Sequence, residues 1–305
     1  MTNPLLRSPL DMIGNTPLVH VPLGCSAQVL AKVEYLNPAG SIKDRSALYM
    51  LEQAEKRGDL KPGGTIVEPS SGNMGIALAM IGRVKGYRVI ITVADKTAPQ
   101  KIQILKAYGA KVTICPSVTD QSDPRGYVAQ AKKISEIEKA YMLDQFNNPD
   151  NATAHYHGIG SEIWEQTEGK ITHFVAAAGT GGTVSGVGRF LKEKNKNIKI
   201  YAVDTENSFY STKGRPLPYT VEAFGIDAVT DLIDFSVIDE VIPVSDTEVF
   251  SMTRELCQKH GHLVGFSSGA AALGIMKLAE ALKPHHTVVF PLCDSGKPYL
   301  SKLLK

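Results

Sequence analysis

The stretch Phe174-Val175-Ala176-Ala177-Ala178-Gly179-Thr180-Gly181-Gly182-Thr183-Val184 reads as an apolar strand, a glycine-rich turn and the start of a helix. That succession points to an α/β fold. Gly179, Gly181 and Gly182 let the backbone approach a ligand closely, Thr180 and Thr183 offer hydroxyls, and the first helical amides supply N–H groups at the positive end of the helix dipole. Such a turn suits a phosphate. Its spacing matches neither G-x-G-x-x-G nor the P-loop, in which a lysine follows the glycines, so a nucleotide is not the first choice. For this segment alone, a tight strand-to-helix turn without a ligand is the plain alternative.

Outward from the turn, β-rich runs alternate with helical spacing. Residues 152–166 read as a helix, 172–177 as a strand, 184–194 as a helix and 198–203 as a strand; upstream, strands fall at 65–68, 88–93 and 111–115. The alternation predicts two α/β units with mainly parallel sheets covered by helices. Ala47, Met50, Leu51 and Ala54 follow i, i+3, i+4, i+7 spacing, which predicts a helix over 44–57 with Lys43 at its N-terminal edge. Residues 206–231 contain Pro216 and Pro218 and no clear period, so they read as a long functional loop. No internal repeat or low-complexity tract is visible.

Bulk properties narrow the function classes. Of the 305 residues, 43% are hydrophobic and 21% charged, as in an ordinary globular protein. Thirty-three basic against 31 acidic residues give a formal charge of +2, which offers no general electrostatic reason to bind nucleic acid or an anionic membrane. Any anion site must be local. Cys25, Cys115, Cys257 and Cys293 form no C-x-x-C pair and read as reduced, mostly buried thiols, with no metal site expected. No basic segment followed by an apolar stretch opens the chain and no run approaches a membrane span, so a cytoplasmic location is expected.

Two further segments carry chemistry. Ser70-Ser71-Gly72-Asn73-Met74-Gly75 is a second glycine-bearing turn between a strand and a helix, where a carboxylate could dock on backbone amides; a serine N-cap is the alternative. One turn for a phosphate and one for a carboxylate fit a small amino acid held beside a phosphorylated cofactor. Lys43 lies in Asn37-Pro38-Ala39-Gly40-Ser41-Ile42-Lys43-Asp44-Arg45, where Pro38 and Gly40 set a turn ahead of the helix.

The lysine segment resembles the lysine motif of the cysteine synthase and cystathionine β-synthase family of pyridoxal phosphate enzymes. The likeness runs from Ile13-Gly14-Asn15-Thr16-Pro17-Leu18-Val19 to Tyr299-Leu300-Ser301-Lys302. It implies a tryptophan synthase β-like fold, fold type II, of two three-layer α/β domains with pyridoxal 5′-phosphate between them. The smaller, mobile domain would span 37–145, and the larger, cofactor-binding one 1–36 and 146–305. By the same resemblance Lys43 is the catalytic lysine and carries the cofactor as an internal aldimine. Gly179, Thr180, Gly181, Gly182 and Thr183 hold its phosphate, Asn73 bonds the 3′-oxygen and Ser295 faces the pyridine nitrogen. Ser70, Ser71, Asn73 and Gln145 receive the substrate carboxylate, and Met74, Ala223 and Phe224 complete the substrate site. Asp294, beside Ser295, reads as a solvated loop residue, an inward turn being the alternative.

The implied reaction is β-replacement on L-serine or an O-activated L-serine through an α-aminoacrylate, with the cofactor as electron sink and Lys43 moving the Cα proton. A thiol or sulfide is the second substrate, and a homodimer the implied assembly. Ser122-Asp123-Pro124, Leu143-Asp144-Gln145, Pro218-Tyr219-Thr220-Val221-Glu222 and Leu292-Cys293-Asp294-Ser295 are closest to the catalytic core of cystathionine β-synthases, with neither haem nor adenosylmethionine control expected. This puts serine with homocysteine first, and a cysteine synthase using O-acetylserine or O-phosphoserine with sulfide second. Met74 departs from the usual threonine, Phe146 from tyrosine, Phe266 from glycine and Ala223 from glycine. If Phe146, Phe224 and Phe266 line the entrance, their bulk favours a compact nucleophile such as sulfide. Two other classes compete. Gly265-Phe266-Ser267-Ser268-Gly269 satisfies the G-x-S-x-G pattern of a serine hydrolase, although only Glu280, His285 and His286 follow as partners. A non-catalytic sensor on the same fold is the other.

Overall fold

The structure, a computed structural model, describes residues 5–118, 123–227 and 229–304. Ser122, one of the residues behind the resemblance, lies outside them. The strands are β1 (Leu18–His20), β2 (Gln28–Val33), β3 (Thr65–Pro69), β4 (Arg88–Ala94), β5 (Lys111–Cys115), β6 (Tyr141–Met142), β7 (His173–Ala177), β8 (Lys199–Thr205), β9 (Glu240–Val244) and β10 (Thr287–Leu292). The helices are α1 (Lys43–Arg57), α2 (Asn73–Val84), α3 (Pro99–Ala107), α4 (Tyr127–Glu138), α5 (Asp150–His155), α6 (Ser161–Gln166), α7 (Gly182–Lys194), α8 (Asp246–His260), α9 (Phe266–Lys277) and α10 (Leu300–Leu303). The chain divides into two compact units, one taking in the residues through Ile13 with Asn37–Asp150, the other Gly14–Leu36 with the chain from Asn151 onward.

The first unit holds a four-stranded parallel sheet in the order β5-β4-β3-β6. Every residue of β4 after Arg88 is buried, as a strand covered on both faces requires. From β3 the chain steps to β4 and β5, then returns to the far side of β3 as β6. Right-handed crossovers put α2 and α3 on one face and α4 on the other. Ala47, Met50, Leu51 and Ala54 are all inaccessible on α1, and Gly58, in the left-handed region, ends that helix. α1 packs on α2, which sits tightly on the sheet: a Cβ on Gly82 would lie 2.3 Å from a Val89 methyl.

The second unit holds six strands in the order β1-β2-β10-β7-β8-β9, parallel except for β1 with β2. All six residues of β10 are buried. Here β7 leads to β8 and β9, and β10 returns to the far side of β7, so the two units share one strand order. No sequence repeat accompanies it, because crossover handedness and strand burial specify the topology without requiring particular side chains. Residues 206–231 contain no helix or strand among the described residues. Asp204 pins them by accepting the hydroxyls of Ser208 and Ser211 and the Ile226 N–H. The cysteines are free thiols; Cys115 is buried, whereas Cys25, Cys257 and Cys293 are half-buried, less enclosed than expected.

Candidate active site

In open parallel sheets, ligands bind beyond the carboxyl ends of the strands where strand order reverses. Each unit has one such reversal, and most of the candidate residues stand at the two. In the first unit it lies between β3 and β6, whose ends lead into the Ser70 turn and into Leu143-Asp144-Gln145. In the second it lies between β7 and β10, which lead into the Gly179 turn and into Asp294-Ser295.

The Ser70 turn is organised by side chains. Ser70, buried, accepts the N–H groups of Gly72 and Gly75 through its hydroxyl oxygen, at 3.4 and 3.1 Å. Gly75 is required there, since a Cβ would stand 2.6 Å from the Ser70 carbonyl oxygen. Ser71 and Asn73 are half-buried, and Asn73 is the first residue of α2. The Met74 side chain is 1% exposed within the apolar core, so it has little side-chain surface to offer a ligand. Lys43 is half-buried and opens α1; its N–H reaches the Ser41 hydroxyl at 3.2 Å. Gly40, at φ +91°, turns the chain ahead of it, and the buried Asp44 carboxylate accepts the Ala39 N–H at 2.6 Å, bracing the approach to the lysine. Gln145 is buried, and Glu68, 1% exposed on β3, accepts the N–H groups of Asp144 and Gln145 at 3.1 and 3.3 Å. Burial pushes the Glu68 carboxyl up to about 7. Phe146 is exposed.

The Gly179 turn is organised by shape. Gly181 has φ +84°, and a Cβ would meet Ile233 at 2.2 Å; one on Gly182 would meet the Asn151 side chain at 2.5 Å. Thr180 accepts the Gly182 N–H and the Asn151 amide N–H, both at 3.3 Å, and Thr183 lies 3.3 Å from Nε2 of His155. Asn151 and His155 are fully buried behind the turn. The cradle fits a phosphate: its glycines admit a close approach, its two hydroxyls frame it, and the first amides of α7 have no helical acceptor. Against Gly179 lies Ala223, exposed and at φ +74°; the Gly225 N–H to the Ala178 carbonyl, 2.8 Å, ties that loop to the turn. Phe224 is buried in the core. Ser295 is half-buried, its hydroxyl oxygen accepting the Lys297 N–H at 3.3 Å.

Three expectations change. Asp294 is not solvated: it is 2% exposed and accepts the Tyr299 hydroxyl at 2.7 Å, and a Cβ on Gly265 would collide with its carboxylate. Phe266 lines no entrance, being inaccessible and packed against Phe250 and Tyr299 with ring centroids at 4.7 and 5.3 Å. The hydrolase pattern also fails. Ser267 is buried in the first turn of α9, and Ser268 accepts the Cys293 N–H just after β10. His285 and His286 precede β10, a six-residue strand about 20 Å long, so they lie at its opposite end.

Sequence reading did not single out Glu68, Asn151 or His155. Asn151 and His155 do stand i, i+4 in a helical stretch, a spacing that puts two polar groups on one face. Among the described residues no group of side chains could hold a metal ion, and no helix is long and apolar enough to cross a membrane.

Comparison with known proteins supplies what geometry alone does not. The family described as pyridoxal-phosphate dependent enzymes matches residues 10–294. A cystathionine β-synthase of Apis mellifera is 42% identical over 305 residues, covering 97% of this chain but 60% of its own length. Cysteine synthase B of Salmonella typhimurium is 41% identical over 292 residues, covering 95% of this chain and 93% of its own. Among solved structures, O-ureido-L-serine synthase matches with a TM-score of 0.93 at 34% identity, covering 99% of this chain and 95% of that one.

Proposed function

The chain belongs to the pyridoxal-phosphate dependent enzymes, and from that premise we propose that it replaces the β-substituent of L-serine or an O-activated L-serine with a sulfur nucleophile. One observation carries the reading: Lys43 and Asn73 open two helices, α1 and α2, that pack on each other in one unit. The attachment group and one of the carboxylate-binding residues thus belong to one compact unit. In this reading Lys43 holds the cofactor covalently and moves the proton at the substrate Cα. Ser70, Ser71, Asn73 and Gln145 bind the substrate carboxylate, Gly179 through Thr183 hold the cofactor phosphate, and the neutral hydroxyl of Ser295 faces the ring nitrogen. Ala223 borders the substrate, while Met74 and Phe224, buried in the apolar cores, back the site from behind. Bound pyridoxal phosphate supplies an electron sink that makes the Cα proton acidic and the β-substituent a leaving group.

Lys32, one of the two buried lysines among the described residues, is no rival. Lys32, inaccessible on β2, is committed to the Glu162 carboxylate at 2.6 Å and the Gln166 side chain at 2.8 Å.

The first reading of the substrates is serine with homocysteine, forming cystathionine. With Phe224 and Phe266 both buried in the core, the bulk expected to hinder a long thiol loses two of its three rings. O-acetylserine or O-phosphoserine with sulfide, forming cysteine, is the second reading, favoured by the near-equal identity to cysteine synthase B. A homodimer in which the unit bearing Lys43 is the mobile one completes the proposal. The deciding experiment supplies the cofactor-loaded protein with serine, O-acetylserine or O-phosphoserine, each with homocysteine or sulfide, and identifies products by mass spectrometry. Cystathionine as the faster product supports the first reading and cysteine the second. A yellow protein that binds these amino acids and yields neither product is a sensor, and the proposal fails.

A further inference from the structure

Glu68 is an acid in a place built for apolar side chains. Its strand neighbours Ile66 and Val67 are inaccessible and Glu68 itself is 1% exposed. Burying a carboxyl group there is costly without hydrogen bonds, and it has them from the chain beyond β6. The backbone ladder between β3 and β6 is short, ending with Val67 opposite Met142. Past that point the Glu68 carboxylate takes over, one oxygen accepting the Asp144 N–H and the other the Gln145 N–H. Asp144 stands at φ +53°, so the chain bends just where the carboxylate holds it. Its carbonyl accepts the N–H groups of Asn147 and Asn148, closing the turn on its far side. Glu68 precedes Ser70 by two residues, so the carboxylate holds the Gln145 backbone at the end of β3 that leads into the Ser70 turn.

We propose that Glu68 is a positioning residue for the amino-acid substrate: its carboxylate ties Asp144 and Gln145 to the end of β3 and thereby sets Gln145 beside the Ser70 turn. The inference rests on the reading of Ser70, Ser71, Asn73 and Gln145 as the carboxylate site. An acceptor on both oxygens is what the role needs. Glutamine keeps the shape but offers one acceptor and one donor, so one of the two N–H groups would face a donor.

The test uses the cofactor-loaded full chain and L-serine at about pH 8.5, above the value of about 7 at which the Glu68 carboxyl loses its proton, so that both of its oxygens are acceptors. Glu68→Gln is expected to raise the apparent Kd for serine, read from the cofactor absorption, and the KM about tenfold, with kcat at saturation changed less than about threefold. Amide exchange at Asp144 and Gln145 without serine is expected to rise about tenfold while exchange in α2 stays unchanged. In a Gln145→Ala background the same substitution should weaken serine binding by less than about twofold, because the two residues act through one contact. Glu68→Asp keeps both acceptor oxygens and should fall between wild type and Glu68→Gln; it replaces Glu68→Gln if that variant does not fold. Wild-type exchange and serine affinity in Glu68→Gln, or full additivity with Gln145→Ala, overturns the proposal. If the wild type itself never responds to serine, the proposed function fails instead, and the exchange measurement still decides whether Glu68 holds the turn.

Discussion

The two units reach the same topological reversal and dress it differently. After β3 the turn carries serines, and the Ser70 hydroxyl oxygen occupies two of the amides at the helix start. After β7 the turn carries glycines, one of them left-handed and pressed on Ile233. The first turn is held by a polar side chain and leaves Ser71 and Asn73 half-buried beside it. The second is held by close packing and presents its backbone. A carboxylate, small and planar, suits the first kind; a phosphate, with three oxygens to share among amides and hydroxyls, suits the second. In the proposed function, one topology thus yields two complementary anion sites through turn chemistry alone.

The largest expected effect separates the units by chemistry. Lys43→Ala should remove the borohydride-reducible attachment of pyridoxal phosphate and lower turnover by about 10³-fold or more, since both attachment and proton transfer are lost. The phosphate cradle should remain, so the protein should still bind pyridoxal phosphate reversibly in equilibrium dialysis. A variant that retained covalent cofactor would move the attachment to another lysine.

Next comes a contrast between two glycines. Gly181→Ala must adopt φ +84° and collide with Ile233, a combined cost of about 3 kcal/mol or more, and should lose cofactor affinity as well. Gly72→Ala, at φ −117° with open space around the added Cβ, should cost under about 1 kcal/mol. Paired denaturation curves measure both. Equal losses would show that the two turns are not held by different forces.

Glu68 gives a pH signature confined to the first unit. Its carboxyl sits at about 7 in the folded chain against 4.5 as the ordinary value, so the folded state favours the protonated form. The stability of wild type relative to Glu68→Gln should therefore be greatest below about pH 4.5 and fall as pH rises through about 7, by about 3 kcal/mol in all. Denaturant midpoints of the two proteins across that range check it, and a constant difference would mean the carboxyl titrates normally.

The smallest effect tests the loop against the Gly179 turn. Ala223 holds φ +74°, which alanine adopts only with strain, so Ala223→Gly should stabilise the protein by about 1 kcal/mol. A rise in Tm would confirm it; a fall would mean that the methyl makes a contact worth more than the strain.

Much of this architecture was legible in the chain. Strands 88–93 and 111–115 and the α1 face of Ala47, Met50, Leu51 and Ala54 follow from hydrophobic period, because burial on one or both faces imposes that period locally. The glycine turn, the serine turn and the lysine ahead of a helix were readable for the same reason: each is a run of adjacent residues. What tertiary structure decided concerns residues far apart in sequence. Glu68 meets Asp144 and Gln145 across a strand pair whose register no local pattern states. Asp294 is buried because Tyr299 and Gly265 enclose it, and Phe266 belongs to the core because α9 turns that side chain onto Phe250. The common strand order of the two units left no trace in the sequence, since handedness and burial constrain where a chain turns back and leave open which residues it uses to do so.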